Sequence, residues 1–169
     1  MGKIMMYAAA ALFAFPSVTF AGVAVSHERF KQQTEMFASE AVTPAFTMEM
    51  VAQAIIKDGA KTPAIISIGF MGSQRTWKYL QCHDVHWIVD GASFEMPQGV
   101  HQGHAESGYV IESIMISPIS RQQLATLATG KSVDYEICHD EFHMTQEDHD
   151  NLAGLLAKMD ESVKAQITP

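Results

Sequence analysis

The chain has little positive charge, only two cysteines and no apolar run long enough to cross a membrane, and each shortage closes off a class of function. Lys and Arg number 11 against 19 Asp and Glu, a formal net charge of −8, so attraction to nucleic acid or to an anionic membrane surface has no electrostatic basis. The acidic balance mainly favours solubility. The longest apolar stretch, residues 4–15, falls well short of the ~20 residues a helix needs to span a bilayer core, so no permanent membrane anchor is expected. The sequence shows no internal repeat, no low-complexity segment, no Gly-x-Ser-x-Gly elbow and no complete zinc-site spacing.

What is present begins with an export signal. Lys3 supplies the positive start, residues 4–15 the apolar centre, and Pro16-Ser17-Val18-Thr19-Phe20-Ala21 ends in the small residues that signal peptidase accepts. Residues 1–21 are therefore expected to be a signal peptide, with cleavage after Ala24 as the alternative. No cysteine stands near the cleavage point to carry a lipid. Residues 22–169 are expected to fold as a single globular domain, periplasmic or secreted, with a sizeable core. Cys82 and Cys138 are an even count in a chain sent to an oxidising compartment, and are read first as a disulfide. Such a long loop makes the bridge worth about 4 kcal/mol. Metal ligation and two free thiols are the competing readings.

Periodicity and punctuation place the elements. Ser26 precedes Phe30, Thr34 and Phe37 at helical spacing, which predicts a helix over residues 26–41. Residues 46–57 fit both periods and lean to strand. Residues 64–70 form a β-branched apolar run, hence a buried strand. Trp77, Tyr79, Val85, Trp87 and Val89 share odd parity, which predicts one long central strand over 76–89, bent near Cys82 and stopped by Asp90-Gly91. Residues 92–107, with Pro97, Gly99 and Gly103, read as a surface loop, and 108–116 as a strand. Ser120 with Gln123 makes a capping box for a short helix ending before Gly130, which is expected at C′. Residues 132–140 read as a strand. Thr145 with Asp148 caps a last helix whose Leu152, Leu155, Leu156, Met159 and Val163 form one stripe. The fold class expected is α+β: a mainly antiparallel β-sheet or sandwich with an N-terminal helix, one short inserted helix and a C-terminal helix.

Six of the eight histidines fall into three clusters, His83-Asp84-Val85-His86, His101-Gln102-Gly103-His104 and His139 with His143 beside Cys138. Imidazole and carboxylate at short spacing suit zinc or copper. Three residues apart on a strand, His83 and His86 face opposite ways. His101 and His104 could converge in a glycine-containing loop, and His139 and His143 share parity. Cleavage after Ala24 would begin the chain Val25-Ser26-His27, an amino-terminal square-planar site for Cu(II) or Ni(II). The weak metal candidates are thus His101, His104, His139, His143 and His27, against the plainer reading of surface or hydrogen-bonded histidine. Met48, Met50 and Met96 are core filling before they are copper ligands. Cys82 beside His83 and Cys138 beside His139 do not make a nucleophile, since strand neighbours point apart. Glu136, Asp140, Glu141, Asp84 and Asp90 could supply a hydrolytic pair, but carboxylates at such positions are usually solvated or turn-forming.

Trp77-Lys78-Tyr79-Leu80-Gln81-Cys82-His83-Asp84, Trp87, Asp90-Gly91, His101, Gly103, Gly108 to Glu112, Leu124, Leu127-Ala128, Val133 and Cys138 to Phe142 together resemble a pattern of small, uncharacterised exported bacterial proteins, over about residues 64–160. The resemblance implies an exported sheet-and-helix domain and carries no reaction or ligand. The expectation from sequence is an exported, non-enzymatic module with no catalytic residue and no cofactor, binding a protein, a surface component or a small ligand. A periplasmic copper- or zinc-binding protein using clustered His is the alternative, and an exported hydrolase the third reading.

Overall fold

The computed structural model describes residues 22–39 and 48–167; the expected signal peptide lies outside them. Ten strands form two antiparallel sheets. The larger uses β1 (Gly22–Glu28), β2 (Gln33–Ser39), β3 (Glu49–Lys57), β4 (Ile65–Gln74), β7 (Gly99–Glu106) and β8 (Tyr109–Ile116) in the order β1-β2-β3-β4-β8-β7. The smaller uses β5 (Val85–Val89), β6 (Ala92–Phe94), β9 (Val133–Ile137) and β10 (Asp140–His143) in the order β10-β9-β5-β6. Two helices, α1 (Arg121–Thr129) and α2 (Gln146–Ile167), complete the described residues.

Alternation explains both layers. On the large sheet Met36 and Ala38 from β2, Met50, Ala52, Ala54 and Ile56 from β3, Ile66, Ile68 and Phe70 from β4, and Ile114 and Ile116 from β8 are all buried on one face, the period-2 pattern of a half-buried sheet. The β1–β3 half of that face is packed by α2. The other half meets the small sheet through aromatic stacking: the Phe70 ring lies 4.7 Å from Tyr135 and 5.7 Å from Trp87, and Tyr135 stacks on Phe142 at 5.1 Å. Leu152, Leu155 and Met159 of α2 and Leu124 and Leu127 of α1 close the same core.

Between β4 and β5, residues 75–84 form no strand. They cross the core face as a strap, and Cys82 bonds to Cys138 in the turn between β9 and β10, with Cα atoms 5.9 Å apart. The bridge ties the strap to the small sheet.

Several expectations need correction. The α+β class with an N-terminal helix is replaced by a mostly antiparallel two-sheet fold with two helices. Residues 26–39 are the β1–β2 hairpin. Phe30, which anchored the helical spacing, sits 90% exposed on the turn, whereas Met36 and Ala38 at 0% and 1% exposure carry the burial two residues apart. The last two residues of that expected helix, and residues 46–47 of the next segment, lie outside the described residues. The long strand over 76–89 is a strand only as β5. The loop expected over 92–107 contains β6 and the whole of β7. The run over 132–140 is split by the Cys138–His139 turn, Cys138 having φ +60°. Gly130 is the C-cap of α1 at φ −58° instead of a left-handed C′ residue. The Ser120–Gln123 capping box, the Thr145–Asp148 cap and the Asp90-Gly91 turn, with φ of +51° and +79°, are all present.

Cys82→Ser or Cys138→Ser should lower Tm by on the order of 10 °C, because opening a loop with a sequence separation of 56 forfeits about 4 kcal/mol in a domain of this size. Thermal unfolding followed by circular dichroism checks it.

Candidate functional site

Two polar sites stand out, one closed and one open. The closed one centres on Glu112, which points from β8 into the core face and is fully buried. Its ladder neighbours on either side are glycines, Gly72 on β4 and Gly103 on β7, so a trough runs beside the carboxylate. The strap fills it: a Cβ on Gly103 would stand 2.7 Å from the Trp77 ring and 2.6 Å from the Ile111 carbonyl oxygen. Four donors then converge on Glu112. Its Oε1 accepts from the Tyr79 amide at 3.1 Å and from His101 Nε2 at 3.0 Å; its Oε2 accepts from Gln74 Nε2 at 2.6 Å and the Lys78 amide at 2.9 Å. Burial alone would push this carboxyl up, but the bonds from Lys78, His101, Tyr79 and Gln74 outweigh it and hold it below its ordinary range. With each oxygen doubly occupied, Glu112 has no free lone pair for general-base work.

A second knot ties the strap to β10. Asp140 Oδ2 accepts from Tyr79 Oη and pairs with Lys78 Nζ, both at 2.9 Å. The Lys78 hydrogen bond holds Asp140 below the usual carboxylate range and raises Lys78 itself.

The open site is the outer face of the small sheet. Trp87, Tyr135 and Phe142 point to the core, so the alternate residues His86, Ile88, Asp134, Glu136, Glu141 and His143 face outward, where they line a groove of about 210 Å³. Register arranges them in two rows, Glu141–Glu136–His86 and His143–Asp134–Ile88. His143 Nδ1 is hydrogen-bonded to Asp134 Oδ1. The Met144 amide donates to the Val133 carbonyl at 2.9 Å. In an antiparallel ladder this fixes Phe142–Tyr135 and Asp140–Ile137 as hydrogen-bonded pairs, and Glu141–Glu136 as a non-hydrogen-bonded one, in which side chains approach most closely. Two like charges thus stand directly opposite, an unfavourable pairing. Among the described residues no Lys or Arg lines the groove.

The histidines singled out from sequence are dispersed. His101, its side chain 9% exposed, lies beneath the strap on Glu112, its ring 6.0 Å from that of His83. His104 faces the other side of β7, since β7 is a strand and not the flexible loop that would have let the pair converge, and lies 3.7 Å from Glu106. His139 is exposed in the disulfide turn and His143 lies in the groove. His27 is on β1 beside Thr34 and Asp58, and Val25 and Ser26 are likewise paired strand residues. Among the described residues no group of three or more His, Cys, Asp or Glu is placed to hold a metal ion. Glu112, Gln74 and His86 were not read as site residues; nothing local in the sequence marks Glu112, whereas parity within β5 would have placed His86 with Ile88. Comparison with family models, curated proteins and solved structures finds no match.

A carboxylate whose folded value lies below its unfolded one stabilises the fold above the unfolded pKa, and that contribution is lost as pH falls through the folded value. For Glu112 and Asp140, with ordinary values of 4.5 and 3.8, stability should be level above about pH 5 and fall below it. Glu112→Gln should cost about 2–4 kcal/mol at neutral pH, by breaking a buried network, and should make the acid decline shallower. Urea unfolding between pH 3 and 8 measures both.

Proposed function

We propose that the protein is an exported, non-enzymatic binding module, acting in the periplasm or outside the cell, and that its ligand is a cation held on the outer face of the small sheet. The observation that carries this is the groove itself: Glu136 and Glu141 stand in direct opposition on one open face, beside an Asp134 paired with His143, and among the described residues no Lys or Arg lines it. A bound cation relieves that repulsion. The saturated Glu112 centre supports a non-catalytic role, because the most buried carboxylate is committed to holding the strap. Export is supported by the Lys3, apolar and small-residue pattern of residues 1–21, and the Cys82–Cys138 disulfide is compatible with an oxidising compartment.

Spermidine, a small trivalent cation, should bind saturably at low ionic strength and shift the amide resonances of β9 and β10 in a nuclear magnetic resonance titration. Paired Glu136→Gln and Glu141→Gln changes should weaken binding about tenfold, since each exposed charge pair contributes up to ~1 kcal/mol. Added salt should weaken it too. Absence of saturation, or equal binding by the variant, contradicts the reading.

A further inference from the structure

The groove is bounded on one side by a strand with a free edge. Among the described residues β10 is the terminal strand of the small sheet and pairs with β9 alone. The ladder phase set by the Met144–Val133 bond turns the backbone N–H and C=O groups of Asp140 and Phe142 toward β9, and those of Glu141 and His143 away from it. The two residues that present unpaired backbone groups at the edge are therefore the two whose side chains line the groove.

Resting on the cation reading above, we infer that the ligand is an extended basic segment of polypeptide, which adds to the small sheet as a fifth strand along β10. The incoming strand pairs with the outward groups of Glu141 and His143, and its alternate side chains, ~6.6 Å apart, fall on the groove face beside Glu141 and the Asp134–His143 pair. Lys or Arg opposite Glu141 meets that carboxylate, and the next one, opposite His143, reaches past the imidazole toward Asp134.

Charge selects the occupant. A free edge invites any strand, and natural edges are guarded by charge. On β10 the guard is Glu141: a strand that sets an acidic side chain opposite it is repelled, while a basic strand turns the same residue into an attraction. The other free edges lack this character: β1 carries only Glu28 among its seven residues, β7 only Glu106 among its eight, and β6 no charge at all. β10 is also held in place before any partner arrives. Lys78 and Tyr79 grip Asp140 at its start, and the disulfide fixes the preceding turn, which limits the ordering cost of binding.

The test compares four probes on the full exported protein: a short peptide alternating lysine with threonine, two copies of it N-methylated on alternate amides in one register or the other, and spermidine. The plain peptide should bind about tenfold more tightly than spermidine. Methylation in one register only should cost about tenfold, through loss of the ladder hydrogen bonds, and the Glu141 and His143 amides should become protected from exchange. If both methylated peptides bind as well as the plain one, strand addition is overturned while the cation site stands. If neither peptide nor spermidine binds, both fail.

Discussion

A carboxylate buried inside a protein must find its donors there or give up its charge, and Glu112 finds four of them. That demand organises the molecule. Two of the donors are main-chain amides, Lys78 and Tyr79, so the carboxylate holds backbone instead of a flexible side chain and fixes the path of residues 75–84 across the sheet. Gln74 and His101 bring the end of β4 and the edge strand β7 to the same point. Gly103 beside Glu112 leaves the room into which the Trp77 ring descends.

From that anchor the rest follows by short links. The strap carries Tyr79 and Lys78 to Asp140 on β10, and Cys82 to Cys138 in the turn before it. These contacts hold the small sheet by its hairpin, and Phe70, Trp87, Tyr135 and Phe142 stack between the layers. Once the core face of the small sheet is committed, period-2 alternation forces its remaining side chains outward. The acidic groove is thus a consequence of how the opposite face is packed. Interior charge is matched donor by donor, while on the outer face Asp134 is paired with His143 but Glu136 and Glu141 stand against each other, and a partner of opposite sign is drawn to that pair.

Much of this architecture was legible where the signals were local. The Ser120–Gln123 box, the Thr145–Asp148 cap, the Leu152 to Val163 stripe and the Asp90-Gly91 turn each depend on residues within one or two turns of chain. The misreadings share one cause, the dominance of distant partners. Phe30, Thr34 and Phe37 imitate a helix face, but Met36 and Ala38 find Ala54 and Ala52 across a ladder. Trp77 and Tyr79 have strand parity with Trp87, yet their backbone is captured by Glu112, 33 residues beyond Tyr79. Gly99 and Gly103 lowered the strand signal of β7 because they are needed for close contact with Ile114 and Trp77. Glu136 and Glu141 were visible as carboxylates, but their opposition appears only once the Cys138–His139 turn sets the register. The disulfide was readable from cysteine count and the expected compartment, although not what it ties together.

Residue-resolved hydrogen exchange on the free protein tests most directly the division between a closed interior and an open edge. The Lys78 and Tyr79 amides, both donated to a buried carboxylate, should exchange as slowly as those of the central strands β3 and β4, while the Glu141 and His143 amides should exchange within the time expected of an unpaired strand edge. Rapid exchange at Lys78 and Tyr79 would contradict the anchoring role of Glu112, and slow exchange at Glu141 and His143 would show that the edge is already covered.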